Sequence, residues 1–216
     1  MKTIYLVRHG QSEGNASGVF QKRDVPLTAK GLEQAAFIAR RAAKLDFDVI
    51  IASPLLRAKQ TAAAIAEETG KPIEYSELFI ERGIPSELRG KHKDDPAIQD
   101  LILAMHRFDK PHHRHSDEEN FDDLKARASA ALSYLEKRPE DNMLVVGHGF
   151  FTRSIIARVL LGEGITGLEF LNVIRSLRTR NTGLSVLHFK EGVTMGNEGP
   201  ETPWQLLVWN DHAHLG

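Results

Sequence analysis

Lys2-Thr3-Ile4-Tyr5-Leu6-Val7 runs directly into Arg8-His9-Gly10-Gln11-Ser12-Glu13-Gly14-Asn15. Ile4 to Val7 is short, apolar and rich in β-branched side chains, and a polar, glycine-bearing run ends it. The pattern predicts a buried strand entering a loop. A buried strand is a rigid mount, and the loop at its C-terminal end is where open α/β sheets bind ligands. Arg8 and His9 stand at that exit. Arginine presents a planar fork of donors suited to phosphate oxygens, and histidine can act as a nucleophile near neutral pH. Gly10 permits close backbone approach or a positive φ. An ordinary surface loop can carry the same three residues, so their meaning rests on the rest of the chain.

The opening logic recurs at Asn142-Met143-Leu144-Val145-Val146-Gly147-His148-Gly149, a short apolar strand ending in a histidine between two glycines. Between these two segments, Asp48 to Ala52 reads as another buried strand. Thr28 caps a predicted helix whose small face, Leu32, Ala35, Ala36, Ala39, Ala42 and Ala43, suits close packing on a sheet. Ser53-Pro54 predicts a helix start, with serine as N-cap and proline at the first helical position, and Gly70 marks its end. Pro72 to Ser76 is a short strand. A helix is expected over Pro96 to Phe108. Ser116-Asp117-Glu118-Glu119 reads as a capping box opening a long helix through Leu135. A further helix spans Phe150 to Leu161, with Arg153 at the surface or behind the site. Leu184 to Phe189 and Trp204 to Asn210 complete the strands.

Composition narrows the function classes. The chain has 216 residues, 41% apolar and 26% charged, with a formal net charge of −1 and no cysteine. Near-neutral charge with no basic stripe argues against nucleic acid. Without cysteine there are no disulfides, thiol nucleophiles or thiolate metal sites, which fits a reducing compartment. The chain enters its first strand at once, leaving no room for a signal peptide, and no apolar run reaches the ~20 residues of a membrane span. A cytoplasmic protein is expected. His112-His113-Arg114-His115 lacks an acidic partner at ligand spacing and reads as a solvated loop rather than a metal site. Gly162-Glu163-Gly164-Ile165-Thr166-Gly167 spells a dinucleotide fingerprint but follows a helix, so it is read as a turn.

Taken in order, these segments resemble the histidine phosphatase superfamily, the phosphoglycerate mutase-like proteins. The resemblance rests on Arg8-His9-Gly10 with Asn15, on Ser53-Pro54-Leu55-Leu56-Arg57-Ala58, on Glu81 after Leu78-Phe79-Ile80, on Gly147-His148-Gly149 and on Asn181-Thr182-Gly183. A looser match covers Glu119 through Arg127. The closing Asn210-Asp211-His212-Ala213-His214-Leu215 looks like a common tail of the superfamily and is read as peripheral. The resemblance covers nearly the whole chain. It implies an α/β fold: a three-layer sandwich with a mostly parallel central sheet flanked by helices and a helical insertion, about 83–117, over the active site. One domain is expected over 1–216.

The chemistry the resemblance implies is a phosphohistidine mechanism. His9 attacks phosphorus and Glu81 protonates the departing oxygen, while Arg8, Arg57 and a protonated His148 hold the phosphoryl oxygens. Asn15, Ser53, Arg82, Gly149 and Asn181 are the expected substrate contacts, and no cofactor or metal is expected. From residue types alone either histidine could be the nucleophile. A phosphatase of small phosphorylated metabolites is favoured over a cofactor-dependent mutase. Mutases of the family follow Glu-Arg with His-Tyr-Gly and later carry paired arginines; here Gly83-Ile84-Pro85 follows, and Arg107 and Arg114 stand apart. A non-catalytic phospholigand-binding protein is a third reading. The partner expected is a small phosphomonoester; a homo-oligomer is left open.

Overall fold

The computed structural model describes residues 1–192 and 202–216, with the backbone of 195–196 and 199–200 between them. The strands are β1 (Lys2–Arg8), β2 (Val49–Ala52), β3 (Ile73–Tyr75), β4 (Asn142–Gly147), β5 (Leu184–Phe189), the short β6 (Met195–Gly196) and β7 (Gly199–Pro200), and β8 (Trp204–Asp211). The helices are α1 (Glu13–Ala16), α2 (Ala29–Ala42), α3 (Leu56–Thr69), α4 (Gln99–Ala104), α5 (Phe121–Glu136), α6 (Gly149–Leu161) and α7 (Gly167–Ser176). The main sheet has six strands in the order β3-β2-β4-β1-β5-β8. Its β3, β2, β4 and β1 pair in parallel, and β5 joins both β1 and β8 antiparallel. The expected α/β sandwich with a mostly parallel sheet is the fold found.

Alternation along the apolar strands divides their side chains between two helix layers, since successive residues of a strand face opposite ways. Ile4, Leu6, Val49, Ile51, Met143 and Val145 pack with Leu124, Ala128, Leu135, Ile155, Ile156 and Phe170 of α5, α6 and α7. Val7, Ile50, Ala52, Leu144 and Val146 pack on the other face with Ile38, Ala39, Ala58, Ala62 and Ile65 of α2 and α3. Each fully buried Ile, Leu or Val contributes roughly 1.5–3 kcal/mol. A smaller cluster of Leu88, Ile98 and Met105, flanked by Phe20 and Ile84, holds the insert together.

Several local expectations shift. α3 starts at Leu56 with Leu55 as an N-cap lacking a side-chain bond; the Ser53 hydroxyl oxygen accepts from the Leu55 amide at 3.3 Å and lies 2.8 Å from His148 Nε2. The long helix opens on a capping box of Asn120 and Asp123, not Ser116 to Glu119. Glu118 turns back to accept from the amides of His115 and Ser116, which keeps that stretch a loop. The helix expected over Pro96 to Phe108 is a 3-10 turn, Pro96–Ile98, followed by the six-residue α4. The chain leaves it early because Phe108 enters an aromatic cluster, 5.3 Å from Phe170 and 6.2 Å from Phe150. α7 was not anticipated. It is capped by Thr166 at the end of the glycine-rich stretch, so that stretch is indeed a turn between helices.

Candidate active site

Parallel pairing decides where the two histidines go. β1 and β4 are neighbours in register, Arg8 opposite Gly147, so the next residue of each strand, His9 and His148, emerges at the same rim. The His9 amide donates to the Gly147 carbonyl at 3.0 Å, and the two ring centroids lie 5.0 Å apart. β2 lies on the other side of β4 and brings Ser53 beside them, its amide donating to the Val146 carbonyl. His9, His148 and Ser53 are all buried.

His9 Nδ1 lies 2.6 Å from the Gly10 carbonyl. A carbonyl only accepts, so Nδ1 carries the proton and Nε2 keeps the lone pair. Burial, then Arg8 and Arg57, lowers the His9 pKa well below the usual histidine value, against the opposing Gly10 bond. The same forces act on His148: burial first, then His9 and the arginines. His148 Nε2 shares a 2.8 Å hydrogen bond with Ser53 Oγ, and its Nδ1 has no partner among the described residues. The protonated His148 expected from the sequence is therefore opposed by burial, by His9 and by the arginines beside it. Two negative charges of a phosphate would act the other way.

Arg8 and Arg57 supply the cations. Arg57, on the first turn of α3, is 3% exposed and donates to the Lys22 carbonyl at 3.2 Å. Arg8 donates to the Thr179 carbonyl at 2.7 Å. Neither forms a salt bridge among the described residues, and the Nε of each is buried without a partner. Burial lowers the pKa of Arg57 to about 10 and lowers that of Arg8, with nearby Glu81 opposing both shifts. Gly149 makes the Arg8 position available: a Cβ there would sit 2.7 Å from Thr179 Oγ1 and 3.2 Å from Arg8 Nε.

Glu81 faces the N-terminus of α6. One carboxylate oxygen accepts from the amides of Phe151 (3.0 Å) and Arg82 (2.9 Å), and the other accepts from Phe150 (3.2 Å). A clamp holds the segment in place. Arg127 forms two 2.7 Å bonds to the Glu119 carboxylate and donates to the carbonyls of Leu78 and Ile80. Glu119 also accepts from the Gly83 amide at 2.7 Å, so Glu81 is bracketed on both sides.

The remaining expected residues divide. Asn181 Nδ2 donates to the His9 carbonyl at 3.0 Å and to Asn15 Oδ1 at 3.3 Å, joining two predicted residues at the loop that leaves β1. Asn15 also completes the capping box of α1 by accepting from the Ser12 amide. Arg82 goes elsewhere. Its guanidinium is buried between the rings of Phe108 (4.8 Å) and Phe150 (5.0 Å) and donates to the Met105 carbonyl, so it ties the insert down. Burial lowers its pKa to about 10.

Three further residues support the site, of which only Arg153 was placed near it by the sequence reading of its helix. Thr61, fully buried, accepts from the Gly10 amide at 3.1 Å and donates to the Arg57 carbonyl, coupling the segments that carry His9 and Arg57. Arg153, expected at the surface or behind the site, bridges the Gly149 carbonyl and the C-terminal carbonyls of α7. Thr182 donates its amide to the Arg8 carbonyl at 2.9 Å. A partly apolar helix face carries no mark for such polar side chains. Among the described residues no group of three or more His, Cys, Asp or Glu is placed to hold a metal, and His112 pairs with Asp122 at 2.5 Å. No helix of the described residues is long and apolar enough to cross a membrane.

The chain is similar to several known proteins. A relative from Hydrogenobacter thermophilus, whose name marks it as a candidate phosphoserine phosphatase, is 31% identical over 88% of this chain and 91% of its own. A probable phosphoglycerate mutase, GpmB, from Enterobacter sp. (strain 638) is 32% identical over 100% of this chain and 95% of its own. The crystal structure of phosphoserine phosphatase from Entamoeba histolytica in complex with 3-phosphoglyceric acid superposes with a TM-score of 0.76 at 25% identity, covering 100% of both chains. Residues 4–196 match the histidine phosphatase superfamily (branch 1), and with two buried histidines at one sheet rim this chain belongs to that family.

Proposed function

We propose that the protein hydrolyses small phosphomonoesters through a phosphohistidine on His9. The observation that carries this reading is the pair of buried imidazoles 5.0 Å apart, beside the buried Arg57 and the half-buried Arg8, neither of which has a carboxylate partner in a salt bridge among the described residues. A buried cation without a counter-ion is costly, so the pocket favours an anion that supplies the missing charge. His9 Nε2, whose lone pair is left free because the Gly10 bond fixes the proton on Nδ1, and which burial and the two arginines keep from being protonated, attacks phosphorus in line. Arg8 and Arg57 neutralise charge on the equatorial oxygens. With Ser53 donating to His148 Nε2, the ring keeps its proton on Nδ1 and offers a neutral donor to a phosphoryl oxygen.

Glu81 is the proton donor to the leaving oxygen and then the base for the water that cleaves the phosphohistidine. Its Phe150-facing oxygen accepts a single amide, against two for the other, and is the better placed to carry the proton. Hydrolysis is favoured over a mutase reaction because the insert arginines are already engaged: Arg107 with Asp109 at 2.9 Å, Arg114 with Asp123 at 2.6 Å. The relatives named for phosphoserine and phosphoglycerate suggest phosphorylated small acids as the first substrates to assay.

The test is hydrolysis of an aryl phosphate in the presence of a chelator. We expect turnover that survives chelation and is abolished in His9→Ala. Activity restored only by added metal would overturn the mechanism. Rapid phosphoglycerate interconversion with trace hydrolysis would establish the mutase instead, and phospholigand binding without turnover a binding protein.

A further inference from the structure

The tail that sequence reading set aside as peripheral reaches the nucleophile loop. Thr182 is a β-branched residue in the left-handed region, φ 56°, and is fully buried. That conformation is a genuine outlier for threonine and persists only where the surroundings hold it. Its amide lies 2.9 Å from the Arg8 carbonyl and 3.4 Å from that of His9, and its hydroxyl donates to the Asn181 carbonyl at 2.7 Å. Asn181 in turn donates to the His9 carbonyl. The strained residue therefore fixes the backbone on both sides of the nucleophile.

What holds Thr182 is His214. Its Nε2 lies 3.0 Å from Thr182 Oγ1, and its Nδ1 lies 3.2 Å from Arg41 Nη1. The proton positions follow from the partners. Thr182 has given its hydroxyl hydrogen to a carbonyl, so Nε2–H donates to it, and Nδ1 accepts from the always-charged guanidinium. Burial and Arg41 lower the His214 pKa to about 4, which keeps this neutral tautomer at physiological pH. Arg41, in the last turn of α2, also pairs with Asp211, anchoring the tail from its other end. Asn210, at φ 49°, accepts from the Arg180 amide at 2.8 Å and fills the space a side chain at Gly183 would need.

We infer that Asp211 to Leu215 is a brace for the nucleophile loop, with His214 the positioning residue that, through Thr182 and Asn181, sets the His9 backbone. The kinetic part rests on the phosphatase reading; the coupling itself does not. His214→Gln is the diagnostic variant, because an amide can donate to Thr182 and accept from Arg41 together. Amide hydrogen exchange reads the coupling without turnover. Exchange at residues 8–10 and 180–183 should quicken in His214→Ala and stay near the parent rate in His214→Gln. On an aryl phosphate, His214→Ala should lose about tenfold in kcat with KM within about threefold, and His214→Gln should recover most of it. Should His214→Ala fail to fold, Thr182→Gly removes the same link while accepting the left-handed backbone, and should show the same exchange and the same kcat loss. Unchanged exchange at 8–10, or equal impairment of the alanine and glutamine variants, overturns the inference. An inactive parent protein refutes only the phosphatase reading, since the exchange comparison stands alone.

Discussion

His9 works with what its neighbours leave it: a proton on Nδ1 tied to Gly10 and a lone pair on Nε2. Ser53 does the corresponding service for His148, and it is the smallest change that separates orientation from chemistry. In Ser53→Ala the imidazole loses its one hydrogen-bond partner among the described residues, leaving a buried ring free to choose its tautomer. We expect kcat to fall on the order of tenfold, equivalent to about 1.4 kcal/mol, with the melting temperature little changed. A variant with parental kcat would remove Ser53 from the site. Gly10 is tested by stability instead. A Cβ at Gly10 would overlap the Gly31 carbonyl, where the start of α2 packs against the loop that carries His9. Gly10→Ala should cost about 1–3 kcal/mol in urea unfolding, the range for overpacking, and an unmoved midpoint would contradict that contact.

Elements meet at the Glu81 segment, which has little regular structure of its own and borrows rigidity from α5 and α6. Arg127 joins α5 to the carbonyls of Leu78 and Ile80, and its guanidinium lies 3.6 Å over the Phe151 ring. Its carboxylate partner, Glu119, precedes α5 and holds Gly83. Arg127→Met would leave one carboxylate and two carbonyls without their donor in a region where the pair is only 13% and 21% exposed. The expected loss is about 3 kcal/mol, the low end for breaking a buried pair. Activity should fall more than stability explains, because Glu81 loses its bracket. If kcat per folded molecule is unchanged in that variant, the clamp serves the fold alone.

The molecule as a whole carries several histidines that folding holds neutral. His9 and His148 are pushed well below the ordinary value of 6.5 by burial, and His214 to about 4. Unfolded, each would bind a proton at higher pH than it does in the fold. Stability therefore rises with pH through this window, is fully present above about 6.5 and is lost as the solution is acidified. The Asp211 carboxyl, lowered to about 2 chiefly by its Arg41 bond, adds a loss of the same sign only in stronger acid, below its ordinary 3.8. We expect the melting temperature to drop between about pH 7 and about pH 5, and to drop less when saturating phosphate is present, because an anion binds the folded state alone. A flat profile would mean that these imidazoles reach water in the folded protein.

Sequence alone determined the strands and most of what they deliver. Ile4 to Val7 and Met143 to Val146 are apolar on both faces, so the buried strands and the two strand-exit histidines were legible from local pattern, while the α/β class came with the family resemblance. Asn15, Ser53, Arg57, Glu81 and Asn181 were legible only as an ordered set. Tertiary structure decided the rest, because those choices depend on partners distant along the chain. Which strand neighbours β1 brings the two imidazoles together. The Ser53 hydroxyl meets His148 and the Leu55 amide rather than capping α3. Arg82 leaves the pocket because two phenylalanine rings and a carbonyl accept it more fully than solvent at the rim. His214 becomes a brace because β8 folds back beside β5. Hydrophobic periodicity is a property of neighbours in sequence, and the direction of a polar side chain is a property of neighbours in space.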